Sequence, residues 1–375
     1  MAKNPVVVYG ASGYTGRLVC EYLCQFNVPF TAAGSDASEL HSVVTRIPGI
    51  ETAEYDIVES DISYSSLMRL FGGSSVVINT VGPFAALAPD VVQASLDSGM
   101  HYIDPSGEQN WLLNAKGNWG KLFAASDLLL GPGIAHMYTT GEIAAGFCLE
   151  TPGLDSLDIL TLWKGVPSAA SAKTILTNLR EEWFYLEQNQ YVKGEALTFF
   201  EVVVPGRHEV TLALPWGGTG HPVWFKDDPR VANVRAAGGV FDRRIMEQTL
   251  ETMRMIQEQV VDVPEEEQAS ALERVAATMQ SRTPPRENPR INQTVDSVYA
   301  SGPTGQNHCI IRGNCNYKQT ALLQAYAAYS LLQQGNRRTG FSSGCQAFGH
   351  RELHAILKTF GLVADPIISS ATSMR

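Results

Sequence analysis

Residues 5–17 read Pro-Val-Val-Val-Tyr-Gly-Ala-Ser-Gly-Tyr-Thr-Gly-Arg. The apolar run Pro5–Tyr9 predicts a short strand, and the glycine-rich turn Gly10-Ala11-Ser12-Gly13-Tyr14-Thr15-Gly16 follows it at once. From Arg17 onward Leu18, Val19, Tyr22, Leu23 and Phe26 recur at helical spacing. Strand, glycine turn and helix in that order form the dinucleotide-binding fingerprint. Gly10 allows the tight turn, Gly13 lets the backbone approach a pyrophosphate, and Gly16 lets the helix pack close to the sheet. The free N–H groups of the helix start stabilise the anion, so Ser12, Tyr14 and Thr15 join the glycines as expected cofactor contacts.

A second strand is expected over Phe30 to Ala33, and the group that chooses the cofactor should sit at its end. The chain offers Gly34-Ser35-Asp36 there. Asp36 lies 20 residues after Gly16, a spacing that suits a carboxylate on the ribose 2′-hydroxyl. It suits a helix N-cap equally, with Glu39 three residues on. Ser35 offers a donor to a 2′-phosphate, with Arg17 or Arg46 nearby. These residues leave the choice open: NADP is expected, with NAD as the alternative.

Further strands are expected at Ala53–Ile57, Val76–Thr80, Tyr102-Ile103 and Leu128–Leu130, with a helix starting at Pro89 and ending at Gly99. Apolar strands separated by helices build a parallel, doubly wound Rossmann-type sheet. After Gly133 strand character returns at Leu157–Trp163, Leu197–Val204 and Glu209–Leu214, the last two joined by Pro205-Gly206. A polar, helical stretch runs from Pro229 to Gln280, its face marked by Phe241, Ile245, Met253, Ile256 and Val260. Gln268–Glu287 reads as a helix end and linker. Strands follow at Val295–Ala300 and His308–Arg312, then a helix over Thr320–Gln334 that stops at Gly335. The expected plan is α/β: a dinucleotide-binding domain over 1–135, an inserted α+β substrate domain with an antiparallel sheet over 136–318, and a C-terminal helical return onto the first domain over 319–375.

Composition narrows the class. The 375 residues are 44% hydrophobic and 18% charged, with 33 glycines, which argues against a coiled coil or a disordered chain. The net charge of −10, with no basic tract, argues against a nucleic-acid partner. No run approaches the ~18–20 apolar residues of a membrane span. The start, Met1-Ala2-Lys3-Asn4, has no signal-peptide layout, and the expected location is the cytoplasm. Six cysteines at 20, 24, 148, 309, 315 and 345 form no Cys-x-x-Cys pair and read as free thiols. His350 and His354 have the spacing of a zinc pair, but no third ligand follows, so no metal is expected.

Four segments together resemble the saccharopine dehydrogenase-like NAD(P)-binding oxidoreductases. They are residues 10–17; Val77-Ile78-Asn79-Thr80-Val81-Gly82-Pro83-Phe84; Ala94–Glu108, which contains Gly99-Met100-His101-Tyr102-Ile103-Asp104; and Gly131-Pro132-Gly133-Ile134-Ala135-His136-Met137. The resemblance implies that the loop Asn79, Thr80, Val81, Gly82, Pro83 and Phe84 lines the cofactor, and that the turn 131–137 sits where nicotinamide meets substrate. In saccharopine reductase-like members that turn carries two aspartates; here Gly131 and Ala135 stand in their places. A cousin with other substrates, including the trans-acting enoyl reductases, fits better than true saccharopine reduction. The family also implies a homodimer, with the exposed face of the inserted sheet needing cover.

The protein's part in hydride transfer is to orient the cofactor and supply a proton and charge stabilisation. His136 and Tyr138, just after the glycine turn, and Asp104, after the fifth strand, are the candidate catalytic residues; a packed histidine and a turn-capping aspartate are the plainer alternatives. Tyr102, Glu108 and Lys164 are weaker candidates. Trp216-Gly217-Gly218-Thr219-Gly220-His221-Pro222 has the composition of a substrate loop or a plain connection. With Trp163, Trp183, Phe184 and Tyr185 it hints at a bulky substrate. No tyrosine has a lysine four residues later, as short-chain dehydrogenases require. The function expected is an NAD(P)H-dependent oxidoreductase reducing an activated C=C or C=N bond of a small or acyl-type substrate. The alternatives are a catalytically inactive NAD(P)-sensing regulator and an amino-acid dehydrogenase of saccharopine type.

Overall fold

The first sheet is seven strands in the order β15-β6-β5-β4-β1-β2-β3, all parallel. They are β1 Val6–Tyr9, β2 Phe30–Gly34, β3 Tyr55–Glu59, β4 Val76–Asn79, β5 His101–Ile103, β6 Leu129–Gly131 and β15 Gly340–Phe341. This computed structural model describes residues 3–261, 263–264, 267–268, 270, 284–333 and 338–372. The expected linker over Gln268–Glu287 and the helix stop at Gly335 therefore fall largely or wholly outside the described residues.

β1 and β4, written almost entirely in valine and isoleucine, are buried along their length, as strands covered on both faces are. Strand order reverses between them, because the chain leaves β1 toward β2 and β3 and later returns through β4 toward β5 and β6. The ends of β1 and β4 thus flank the topological switch point, where open α/β sheets take ligands. The helix Tyr14–Gln25 buries Leu18, Val19, Tyr22 and Leu23. Aromatic rings of the C-terminal segment seal it: Tyr14 meets Tyr317 edge-on at 4.9 Å, and Phe26 stacks on Tyr329 at 5.2 Å.

One helix start differs from expectation. Pro89 lies inside the helix Phe84–Asp97 rather than at its first turn. Pro83, after a cis Gly82–Pro83 peptide, occupies the N-cap position.

The second sheet has the order β16-β14-β13-β7-β12-β8-β9. Its strands are β7 Ser156–Trp163, β8 Phe184–Glu187, β9 Gln190–Lys193, β12 Asn233–Val240, β13 Gln293–Gly302, β14 Gly305–Asn314 and β16 Ile367–Thr372, with a separate hairpin of β10 Phe200–Val203 and β11 Val210–Ala213. It is mixed rather than wholly antiparallel, because β7 and β12 run parallel. β12 corrects the helical reading of Pro229–Gln280. Asn-Val-Arg-Ala-Ala-Gly-Gly-Val has little β-branched content, yet a Cβ at Gly239 would stand 2.5 Å from the Leu212 carbonyl oxygen, so close strand approach demands the glycine. The helix proper is Arg243–Ile256; it buries Met246, Leu250, Met253 and Ile256 and leaves Ile245 at the surface.

The chain divides into two compact units. The first holds 1–107, 111–143 and 316–362; the second holds 108–110, 144–315 and 363–375. The last segment departs from expectation: after residue 362 the chain adds β16 to β14 of the second sheet instead of staying with the first unit. No described helix is long and apolar enough to cross a membrane, and all six cysteines are free thiols.

Candidate cofactor and reduction site

The turn after β1 is shaped by contacts a side chain would destroy. Gly10 has φ +90°, and a Cβ there would lie 2.6 Å from Thr80 Oγ1 and 2.8 Å from Val81 Cγ2. A Cβ at Gly16 would lie 2.2 Å from the Gly10 carbonyl oxygen, so the helix can start this close to β1 only with glycine. Gly13 differs from both. Its φ of −66° suits any residue, and an added Cβ would meet only the Gly10 oxygen, at 3.3 Å. The space over Gly13 is open, and the amides of Thr15 and Gly16 find no acceptor among the described residues. Open space beside unsatisfied N–H groups at a helix start fits a diphosphate bridge. Thr80 ties the two sides of the switch point together, donating its hydroxyl toward the Tyr9 and Gly10 carbonyl oxygens at 2.9 and 3.0 Å.

At the end of β2, Ser35 and Asp36 are exposed. The Asp36 carboxylate accepts the Glu39 amide at 2.9 Å and caps the helix Ala37–Val44, and its second oxygen accepts no hydrogen bond from the described residues.

Beneath the loop after β4 lies a buried polar chain. Asn79 accepts the Val81 amide at 3.0 Å and donates to the Tyr102 hydroxyl at 3.0 Å. Tyr102 in turn donates to Asp104 Oδ2 at 2.8 Å. Asp104 also accepts the Trp111 indole N–H at 3.0 Å and the amides of Ser106 and Gly133 at 2.8 and 3.0 Å. Asn79, Tyr102 and Asp104 are fully buried. Burial raises the Asp104 carboxyl above the ordinary range while these donors pull it back. With four donors on its two oxygens, the side chain locks the loop after β5 to the turn after β6.

His136 lies in that turn. It is 4% exposed, and neither ring nitrogen has a hydrogen-bond partner among the described residues, while its amide donates to Thr320 Oγ1 at 3.1 Å. Burial without a partner lowers its pKa to about 3, so the imidazole is neutral at physiological pH. A buried histidine with both nitrogens idle is rare in a folded protein. Tyr138, two residues on, lays its hydroxyl over Gly107, where a Cβ would overlap it. At Gly131 an added Cβ would stand 3.2 and 3.3 Å from Ile103 Cγ2 and Ile134 Cδ1, so an aspartate there would have to push both side chains aside by a few tenths of an ångström.

In the second unit, Trp216, Gly217 and Gly218 all have positive φ, of 57°, 73° and 91°. Gln109 holds the loop that follows: its amide donates to the Thr219 carbonyl oxygen and to that of Phe184, both at 2.9 Å, and its Oε1 accepts the Phe184 amide at 2.8 Å. The Trp216 indole N–H is buried with no partner among the described residues. Phe184 and Tyr185 belong to β8, and Lys164 is exposed.

A model of a family of unknown function, DUF5938, matches residues 139–372, more than half of the chain. The chain belongs to that family. In this DUF5938 protein, residues 6–121 match the saccharopine dehydrogenase NADP binding domain, the segment that carries the glycine turn and the Asn79–Phe84 loop. A lipid droplet localized protein of Caenorhabditis elegans is 34% identical over 129 residues, 32% of this chain and 30% of that protein. A trans-acting enoyl reductase of Mycobacterium leprae is 29% identical over 113 residues, covering 29% and 27%. The human saccharopine dehydrogenase-like oxidoreductase is 32% identical over 121 residues, covering 28% of each. These matches span less than a third of each relative's length. Saccharopine dehydrogenase (L-Glu forming) of Saccharomyces cerevisiae shares the fold across 98% of this chain and 100% of its own, with a TM-score of 0.60 at 12% identity.

Two polar elements of this DUF5938 protein escape a sequence reading. Trp111 and Thr320 supply hydrogen bonds to Asp104 and to the His136 amide from 7 and 184 residues away, and no local pattern marks either.

Proposed function

We propose that this protein is an NAD(P)H-dependent oxidoreductase that prefers NADP(H) and reduces an activated C=C or C=N bond conjugated to an acyl-type carbonyl. The observation that carries the reading is the cradle at the switch point: a glycine turn open over Gly13, amides without acceptors, and the buried Asn79–Tyr102–Asp104 chain that fixes the facing loop. The match to an NADP binding domain supports it, as do relatives named enoyl reductase and saccharopine dehydrogenase-like oxidoreductase.

The bound cofactor supplies the hydride. When it is bound, the glycine turn would hold its diphosphate and Ser35 would hold the 2′-phosphate. Asn79, Thr80, Val81, Gly82, Pro83 and Phe84 orient the nicotinamide end. His136, held neutral by burial, donates a ring N–H to negative charge developing on the substrate carbonyl oxygen. A histidine with so low a pKa is no proton reservoir, so the proton comes from the Tyr138 hydroxyl. Asp104 is a positioning residue, since its oxygens are engaged by four donors. The homodimer and the cytoplasmic location belong to the same reading; sedimentation and fractionation check them.

The test is NADPH oxidation on a panel of enoyl thioesters, imines and carbonyls. Turnover on an enoyl or imine member, reduced strongly in His136→Ala and Tyr138→Phe, is the expected result. Tight NADPH binding with no turnover on any member would favour the sensing regulator, the reading that loss of both family aspartates at 131 and 135 supports.

A further inference from the structure

One face of the second sheet is covered at one end only. There Val202 and Val204 of the β10–β11 region close over Leu162, Phe241 and Val295. Toward the other end the face opens into a cleft of about 930 Å³, walled by Trp183, Phe200 and the segment around Glu195. A single row of side chains crosses its floor on neighbouring strands: Tyr185, Arg235, Asp158, Tyr299 and His308.

The row is preorganised. The Arg235 guanidinium lies 5.1 Å from the centre of the Tyr185 ring, and the Tyr299 and His308 rings stack at 3.7 Å. His308 is held neutral, since burial lowers its pKa and its Nε2 bonds Ser297 at 2.8 Å. The other charges of the walls are largely engaged: Lys193 pairs with Glu182, and Glu201 with Arg243 at 2.7 Å. Arg235 is different. No described residue accepts a hydrogen bond from it or pairs with it within 4 Å, and Asp158, its neighbour in register, supplies only longer-range attraction. Around it lie Leu160 and Ile310, half-buried, and Tyr299 and Phe200, 56% and 41% exposed. A stacked guanidinium with idle donors, in an aromatic and aliphatic cleft large enough for a drug-sized molecule, is the recognition chemistry of a carboxylate on an apolar body.

We propose that this cleft is a second ligand site, separate from the cofactor turn, that binds an amphipathic organic anion: the carboxylate forks onto Arg235 and the apolar body lies over Tyr299, Phe200 and Leu160. Asp158 weakens the anion's hold and sets the affinity. The proposal does not depend on the cofactor reading.

The probes are dodecanoate, dodecanol and dodecyltrimethylammonium below their micelle concentrations, measured by calorimetry on the full chain. Dodecanoate is expected to bind one to one and at least about tenfold tighter than dodecanol. Arg235→Gln should erase that preference, and Asp158→Asn should raise dodecanoate affinity several-fold with dodecanol unchanged. NADPH affinity, titrated on the same samples, should stay within twofold of the parent, which separates failure here from failure of the cofactor site. Equal binding of the acid and the alcohol, tighter binding of the cation, or no binding of any probe overturns the proposal. So does a stable dimer in sedimentation from which dodecanoate is excluded. If Arg235→Gln does not fold, the acid-to-alcohol ratio and the Asp158→Asn shift still decide.

Discussion

Gly13 and Gly16 lie three residues apart in one turn, yet substituting them should do opposite things. At Gly16 a methyl would stand 2.2 Å from the Gly10 carbonyl oxygen and 2.8 Å from Ala11 Cα, both backbone atoms that cannot rotate away. Roughly an ångström of displacement between helix and strand must follow, and overpacking of that kind costs about 1–3 kcal/mol even after alanine's better helix propensity. At Gly13 the backbone is extended, with φ −66° and ψ 164°, and the nearest atom to a new Cβ is 3.3 Å away. Gly13→Val should therefore change stability by less than about 1 kcal/mol, within the range of surface substitutions. Its methyls would fill the space over the turn and part a diphosphate from the helix amides. Two charge-assisted hydrogen bonds lost at about 1.5–3 kcal/mol each correspond to a hundredfold to ten-thousandfold weaker cofactor binding. Chemical denaturation and NADPH titration of both variants form the assay. The reasoning fails if Gly13→Val binds NADPH within about threefold of the parent, or if Gly16→Ala leaves stability unchanged.

Ser35→Asp should weaken NADPH by about tenfold or more through repulsion of the 2′-phosphate, with NADH little affected; parallel titrations giving equal losses would move the 2′-phosphate site elsewhere. Asp104→Ala should cost about 3–5 kcal/mol in denaturation, because it removes the buried carboxylate that accepts from the Tyr102 hydroxyl, the Trp111 indole and the amides of Ser106 and Gly133; a change below about 1 kcal/mol would refute the locking role. His136, with its pKa lowered to about 3, binds fewer protons folded than unfolded between that value and the ordinary 6.5. Its contribution to stability is present above pH 6.5 and is lost as pH falls, by about 2 kcal/mol at pH 5. The stability of the parent relative to His136→Leu should fall by that amount from pH 8 to pH 5, and a constant difference would show that the ring is not buried neutral.

The parallel sheet was legible because its signals are local. Val6-Val7-Val8 is an apolar run that ends at a glycine turn, and Gly13 and Gly16 take their places from contacts with Gly10 and Ala11, whereas Gly10 is also fixed by Thr80 and Val81 from across the switch point. The four motifs pointed to the family for the same reason. What failed locally was decided by distant partners. Pro89 looks like a helix start, but the helix begins at Phe84. Residues 233–240 carry only two branched side chains, Val234 and Val240, and become a strand because β7 offers them a full parallel ladder. Whether Asp36 binds ribose or caps a helix was undecidable from spacing; the fold makes it a cap through Oδ1.

The sequence alone determined a nucleotide turn at the head of a doubly wound sheet, since strand, glycines and amphipathic helix follow one another without a gap. Only the tertiary structure decided the electrostatic character of the site residues. Asp104 is saturated by donors from three later segments, and the His136 ring, with no hydrogen-bond partner among the described residues, is stripped of its charge, because the dielectric around a side chain is set by everything packed against it. The cleft row from Tyr185 to His308 belongs to the same class. It gathers side chains from five strands between residues 158 and 308, and register, not sequence proximity, puts a guanidinium with no partner among the described residues beside aromatic rings.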